Sequence, residues 1–268
     1  MTFVNLARIA AVSSIFLVTA QSASAAALMP NFANVPTGWT TDRYDPTTFA
    51  AVGSYQGRSD VLGIGITSAG NLANRAAAFQ SSFYNTQGRQ HAVSGGTNST
   101  LDAGLFIENS WRTATPGNVR SDMWGVLSNS APTPAVTDYG IIGFTNYGGA
   151  ARLRVFDGDV GGWVDLATAV TYGQWMDFSI AFTGTSMDYF INGTSVYSDT
   201  TIGGNQFTAV IMQAYNFADP AIQGAVPADY TANWSNVPSG STVPEPGSLA
   251  LAALALAGLA AAGKRRKA

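Results

Sequence analysis

The sequence predicts an all-β protein: one antiparallel β-sandwich over residues 28–235, flanked by two addressing segments. Three observations lead there. From Tyr139 onward, short runs of alternating apolar character recur between turn residues at the spacing of a sandwich. Asn192-Gly193, the strongest two-residue hairpin signal in the chain, sits between two such runs. The 268 residues include no cysteine but 14 Phe, 10 Tyr and 6 Trp, so stability has to come from an aromatic-rich core.

The individual strands follow from period and punctuation. Ile141–Tyr147 and Arg152–Phe156 flank Gly148-Gly149 and read as a hairpin, and the Asp157–Gly162 turn leads into Trp163–Leu166. After Gly173, period two places Met176, Phe178, Ile180 and Phe182 on one buried face. Met187–Ile191 and Ser195–Tyr197 flank the Asn-Gly turn. Phe207–Tyr215 is apolar almost throughout, which predicts a strand in the middle of a sheet. Tyr230–Trp234 is the last strand. In the first half, Val61–Ile66, Leu105–Ile107 and Trp124–Leu127 read as strands, and Asn71–Ser82 as one short helix.

Both ends read as addresses. Arg8, the apolar run Ile9–Ala20 and the small residues Ala23-Ser24-Ala25 form a secretory signal over residues 1–25, with cleavage after Ala25 or Ala27. At the other end, a linker over residues 236–243 leads to Pro244-Glu245-Pro246, a short membrane-spanning Leu/Ala segment over residues 249–263, and Lys264-Arg265-Arg266-Lys267. Four fixed cations after an apolar run stop translocation and stay cytoplasmic.

Charge narrows the partners. The only lysines are the two in the tail, and the domain between the ends carries more Asp than Arg. Such a surface disfavours nucleic acid, whose binding requires phosphate neutralisation. The absence of cysteine also removes thiolate metal sites and cysteine nucleophiles.

The motif, apolar run and basic stop from Val243 to Lys267 together resemble the PEP-CTERM sorting signal. The resemblance implies a Gram-negative exosortase substrate that passes through the inner membrane, loses its tail near Pro244-Glu245-Pro246 and reaches the cell surface or extracellular matrix. It also implies an association with exopolysaccharide and biofilm. Signal peptidase and exosortase are then its partners during export. The stretch Tyr139–Trp234 resembles concanavalin A-like, laminin-G-like jelly rolls, which would make the sandwich a jelly roll. Phe83-Tyr-Asn-Thr-Gln-Gly-Arg89 resembles a segment of PEP-CTERM proteins of this sandwich type.

Candidate chemistry is sparse. A glycosidase needs two carboxyl groups across a sugar cleft, yet Glu108 is the only glutamate in the domain and no Glu-x-Asp-x-x-Glu pattern occurs. His91, the only histidine, lies in a glycine-rich stretch without an acidic neighbour and reads as a loop or edge residue. Asp157, Asp159 and Asp165 offer hard oxygen ligands for calcium as a cofactor, but Asp-Gly is also ordinary turn chemistry, the preferred reading. Trp111, Trp124, Trp163 and Trp175 are candidates for stacking on sugar rings, weighed against plain core packing. The expectation is a non-catalytic surface protein with carbohydrate or adhesive contacts; the alternative is a cryptic glycosidase built around Glu108.

Overall fold

The computed structural model describes residues 25–112, 118–218 and 229–237. The signal segment, the linker from residue 238, Pro244-Glu245-Pro246, the apolar run and Lys264–Lys267 lie outside the described residues, as does Ala23. Among the described residues no helix is long and apolar enough to cross a membrane.

Fifteen strands are found among the described residues: β1 (Ala26–Ala27), β2 (Trp39–Thr41), β3 (Thr48–Tyr55), β4 (Arg58–Ile66), β5 (Thr86–Gly95), β6 (Ser99–Ile107) and β7 (Arg120–Ser128) in the first half. The second half supplies β8 (Val136–Thr145), β9 (Arg152–Asp157), β10 (Gly162–Asp165), β11 (Gln174–Phe182), β12 (Met187–Ile191), β13 (Thr194–Asp199), β14 (Gln206–Tyr215) and β15 (Tyr230–Asn236). They form two sheets. One has the order β13-β12-β11-β6-β15-β4-β3 with the short β1 beside β6; the other runs β10-β9-β8-β7-β14-β5-β2. The strands pair antiparallel except for β1 with β6. The predicted sandwich is therefore the observed architecture.

Local sequence explains the pairing. Asn192 and Gly193 both adopt positive φ, 49° and 75°, which fits a two-residue turn between β12 and β13. The alternation in β11 is real: Met176, Phe178, Ile180 and Phe182 are each no more than 1% exposed. β14 lies between β7 and β5, as its near-continuous apolar run requires. The expected helix over 71–82 is replaced by separate 3-10 turns at Ser68–Gly70, Leu72–Asn74, Ala77–Phe79 and Ser82–Asn85. The Asn71 side chain accepts the Asn74 N–H, and Arg75 and Gln80 leave helical geometry, so local side-chain bonds outcompete a continuous helix.

One apolar core fills the space between the sheets. A short polar relay ties them together. Trp234 Nε1 of β15 donates to Ser121 Oγ of β7 at 2.9 Å, and Ser121 Oγ donates to the Gln213 carbonyl of β14 at 2.7 Å. The Tyr230 hydroxyl sits between the Arg120 and Tyr215 carbonyls at 2.9 and 2.8 Å, and its burial raises its pKa.

Candidate functional site

Side chains alternate across a strand, so the seven-stranded sheet must present every second residue on the face away from the shared core. Registers align these outward residues into rows. One row reads Asp165, Arg154, Gly143, Asp122, Gln213 and Gly88 across β10, β9, β8, β7, β14 and β5. The next reads Trp163, Phe156, Ile141, Trp124, Ile211 and Gln90. A third contains Tyr139, Val126, Ala209 and Ala92. The face is thus banded, a charged and amide row lying beside an aromatic and aliphatic one.

The apolar band packs as its own cluster, separate from the main core: Trp124, Val126, Ile141 and Ile211, with Phe156 and Ala209 against them. Trp124 meets Tyr139 edge-on at 5.7 Å, and Phe156 meets Trp163 edge-on at 5.3 Å. At one flank the Arg43 guanidinium lies over both Trp124 and Phe83, 4.8 and 4.6 Å from the ring centres. Phe83, Tyr139 and Trp163 are exposed, at 55%, 42% and 37%, so the band reaches solvent in several places.

Glycine shapes the polar band. A Cβ at Gly143 would collide with Asp122 Oδ1 and the Ser121 carbonyl, so only glycine lets the Asp122 carboxylate lean across β8. Asp122 Oδ2 accepts from Arg120 Nε and from Gln213 Nε2, each at 2.6 Å. Arg152 Nε donates to Asp165 Oδ1 at 2.9 Å. Arg154 instead lies over Trp163, its Cζ 3.7 Å from the ring centre, and Arg120 approaches the same ring at 4.7 Å. Burial pushes the Arg154 pKa down to about 10; Asp122 and Asp165 oppose this, while Arg120 and Arg152 reinforce it. The guanidinium therefore stays charged at neutral pH.

Four buried polar atoms on this face have no hydrogen-bond partner among the described residues: Asp122 Oδ1, Gln213 Oε1, Trp124 Nε1 and Arg154 Nε. Each such group costs about 1–3 kcal/mol if left unmatched. Four together, offering two acceptors and two donors beside an aromatic band, suit a ligand with many hydroxyls and apolar ring faces.

The sequence-derived candidates divide. Trp124 and Trp163 belong to this face. Trp111 is a core residue against Phe144 and Tyr230. Trp175 is half-buried beside Phe106 on the other sheet, with Arg58 over its ring and Nε1 donating to the Gln56 carbonyl. Asp165 does not join Asp157 and Asp159, because its strand position turns it toward Arg152; Asp199 takes the third place, the three carboxylates lying within 4.8 Å of one another. Asp157 accepts from the N–H groups of Asp159 and Val160 and from the Tyr197 hydroxyl. His91 packs edge-on against Trp39. Glu108 accepts from the Tyr55 hydroxyl at 2.6 Å and lines a pocket of about 430 Å³ with Asp229, which accepts from the Ser68 N–H.

Asp122, Gln213 and Arg154 escape sequence reasoning because they become neighbours only through cross-strand register; Arg120 and Asp122 are two residues apart on one strand. A weak signal exists: Asp122 and Gln213 interrupt otherwise apolar strands, and Arg152 and Arg154 alternate with Leu153 and Val155.

Residues 242–267 match the PEP-CTERM protein-sorting motif, which marks the chain for export and membrane-associated sorting toward the cell surface. No curated protein matches the chain. Among solved structures, it is similar to the carbohydrate-binding module CBM66 from Bacillus subtilis, at 12% identity, TM-score 0.35, covering 75% of this chain and 94% of that one. A β-glucanase of Bacillus licheniformis aligns at 11% identity, TM-score 0.42, over 76% of this chain and 92% of its own. A β-1,3-1,4-glucanase from a mouse hindgut metagenome aligns at 13% identity, TM-score 0.41, over 78% and 98%. Likenesses this remote say nothing about activity.

Proposed function

We propose that this chain is an exosortase-processed surface protein whose sandwich binds polysaccharide, without cleaving it, on the banded face of the seven-stranded sheet. The observation that carries the reading is the set of four buried, unmatched polar atoms at Asp122, Trp124, Arg154 and Gln213 beside the aromatic row. A sugar ring satisfies both bands at once, since its hydroxyl edge hydrogen-bonds while its C–H face stacks on indole.

Carboxylate spacing supports binding over hydrolysis. Glycosidases hold their two carboxyl groups about 5–9.5 Å apart. The row offers Asp122 and Asp165, but β7 and β10 are three strand spacings apart, about 14 Å between backbones. Both carboxylates are also tied to arginines, Asp122 to Arg120 and Asp165 to Arg152. The pocket shared by Glu108 and Asp229 favours the alternative, an enzyme on the other side of the sandwich. Turnover of the host polysaccharide, abolished by Glu108→Gln, would establish that alternative.

Electrophoresis of the mature domain through gels containing polysaccharide tests the binding reading. Wild type and Trp175→Ala should be retarded alike and Trp163→Ala should run free; equal retardation of all three would remove the banded face from consideration.

A further inference from the structure

The ligand's charge can be read from the arginines, an inference that rests on the binding reading above. Four of the eight arginines between residues 28 and 235, Arg43, Arg120, Arg152 and Arg154, gather on or beside this one face of an otherwise acidic domain. Three of them are accounted for within the fold. Arg120 is paired with Asp122 at 2.6 Å, Arg152 with Asp165 at 2.9 Å, and Arg43 reaches Asp42 at 3.6 Å.

Arg154 differs from the other three. It is 92% buried by accessible area, being 8% exposed, yet it forms no salt bridge among the described residues. Its Nε is buried without a partner. Asp165 and Asp122, the carboxylates nearest in its row, are already spoken for by Arg152 and Arg120. A buried cation with no counter-ion is costly unless something anionic completes it. A guanidinium seated over an indole offers an N–H fork that matches the two oxygens of a carboxylate.

We propose that the banded face selects acidic polysaccharide, its sugar units bearing carboxylate groups, and that Arg154 receives the carboxylate of a sugar seated against Trp163. Asp122 Oδ1, Gln213 Oε1 and Trp124 Nε1 lie buried behind this contact and are reached only if the side chains over them shift. The polar and apolar bands each take one side of the same polymer. Ionic strength weakens such binding only modestly, since a buried pair is screened much less than an exposed one.

The test compares the mature domain's affinity for alginate, dextran sulfate and the neutral glucan laminarin, in wild type, Arg154→Gln and Arg154→Lys. Thermal melting of each variant confirms folding. Alginate should bind at least 10-fold more tightly than laminarin, and Arg154→Gln should remove that preference by weakening alginate binding at least 10-fold more than laminarin binding. Arg154→Lys, which keeps the charge and loses the fork, should recover only part of it. Equal affinity for alginate and laminarin would overturn the acidic-ligand proposal and leave polysaccharide binding standing. A preference for dextran sulfate over alginate would overturn the carboxylate assignment. Failure of all three polymers to bind would overturn this proposal and the binding reading together.

Discussion

The guanidinium of Arg154 lies 3.7 Å from the centre of the Trp163 ring and pairs with no carboxylate among the described residues. A cation held by an aromatic face but left without a counter-ion is costly to bury, and under the proposed reading an anionic ligand completes it. The adjacent row of Trp124, Ile141 and Ile211 supplies an apolar bed, and Asp122 and Gln213 supply acceptors.

Gly143→Ala should disturb this arrangement from below. The new Cβ collides with the Asp122 carboxylate and with the Ser121 carbonyl, and only the former can swing aside. A loss of about 1–3 kcal/mol, read as a fall in melting temperature of roughly 2–10 °C, is expected, together with weaker glycan binding. Unchanged melting would mean that Asp122 does not lean over Gly143.

Ser121→Ala tests the relay between the sheets. Trp234, fully buried, would lose the acceptor for its indole N–H. An unsatisfied buried donor costs about 1–3 kcal/mol, so chemical denaturation should show that loss with an unchanged dependence on denaturant. Trp234→Phe in the same background should add less than it does alone, because the bond is already gone.

Asp199 provides a pH-dependent prediction. Burial raises its pKa above the ordinary aspartate value, and the nearby Asp157, Asp159 and Asp138 carboxylates push the same way against the Thr201 N–H. A raised carboxyl pKa contributes stability that is present below about pH 4 and lost as pH rises through the folded value. Asp199→Asn should therefore melt higher than wild type at pH 7, with the difference vanishing by pH 3. Chelation of calcium should leave the wild-type melting temperature unchanged. A rise of several degrees on adding calcium, absent from Asp199→Asn, would show instead that Asp157, Asp159 and Asp199 hold the ion.

The sorting motif at residues 242–267, together with the signal segment expected at the other end, predicts two cuts in the exported protein. Mass spectrometry should find an N-terminus at Ala26, which keeps β1 paired beside Ser99 and Thr100, or at Leu28, and a C-terminus near Pro244. Replacing Lys264, Arg265, Arg266 and Lys267 with Ala should abolish C-terminal processing. An exported chain still ending at Ala268 would contradict the exosortase reading.

Much of the sandwich was legible in the sequence because strand evidence is local. Period two in β11, Asn192-Gly193, and the apolar run of β14 each act within ten residues. The expected helix over 71–82 is instead a series of short turns because their composition resembles a helix while extended residues such as Arg75, and the Asn71 side-chain bond to Asn74, break it into separate pieces. The site was only half legible. Trp124 and Trp163 stood out as aromatics, but their separation from Trp111 and Trp175 depends on which sheet face each one occupies. Arg154 and Asp122 are 32 positions apart and meet through the register of β7, β8 and β9. Asp165 was grouped with Asp157 by nearness in sequence, whereas β13 brings Asp199 there by nearness in space.

Nuclear magnetic resonance of the six indole N–H groups tests the central claim most directly. The mature domain would be titrated with laminarin oligosaccharides and then with alginate oligosaccharides. The account predicts that the Trp124 and Trp163 signals shift in at least one of the two titrations, while those of Trp111, Trp175, Trp39 and Trp234 hold still. Shifts confined to Trp175, on the opposite sheet, or no shift with either sugar, would contradict it.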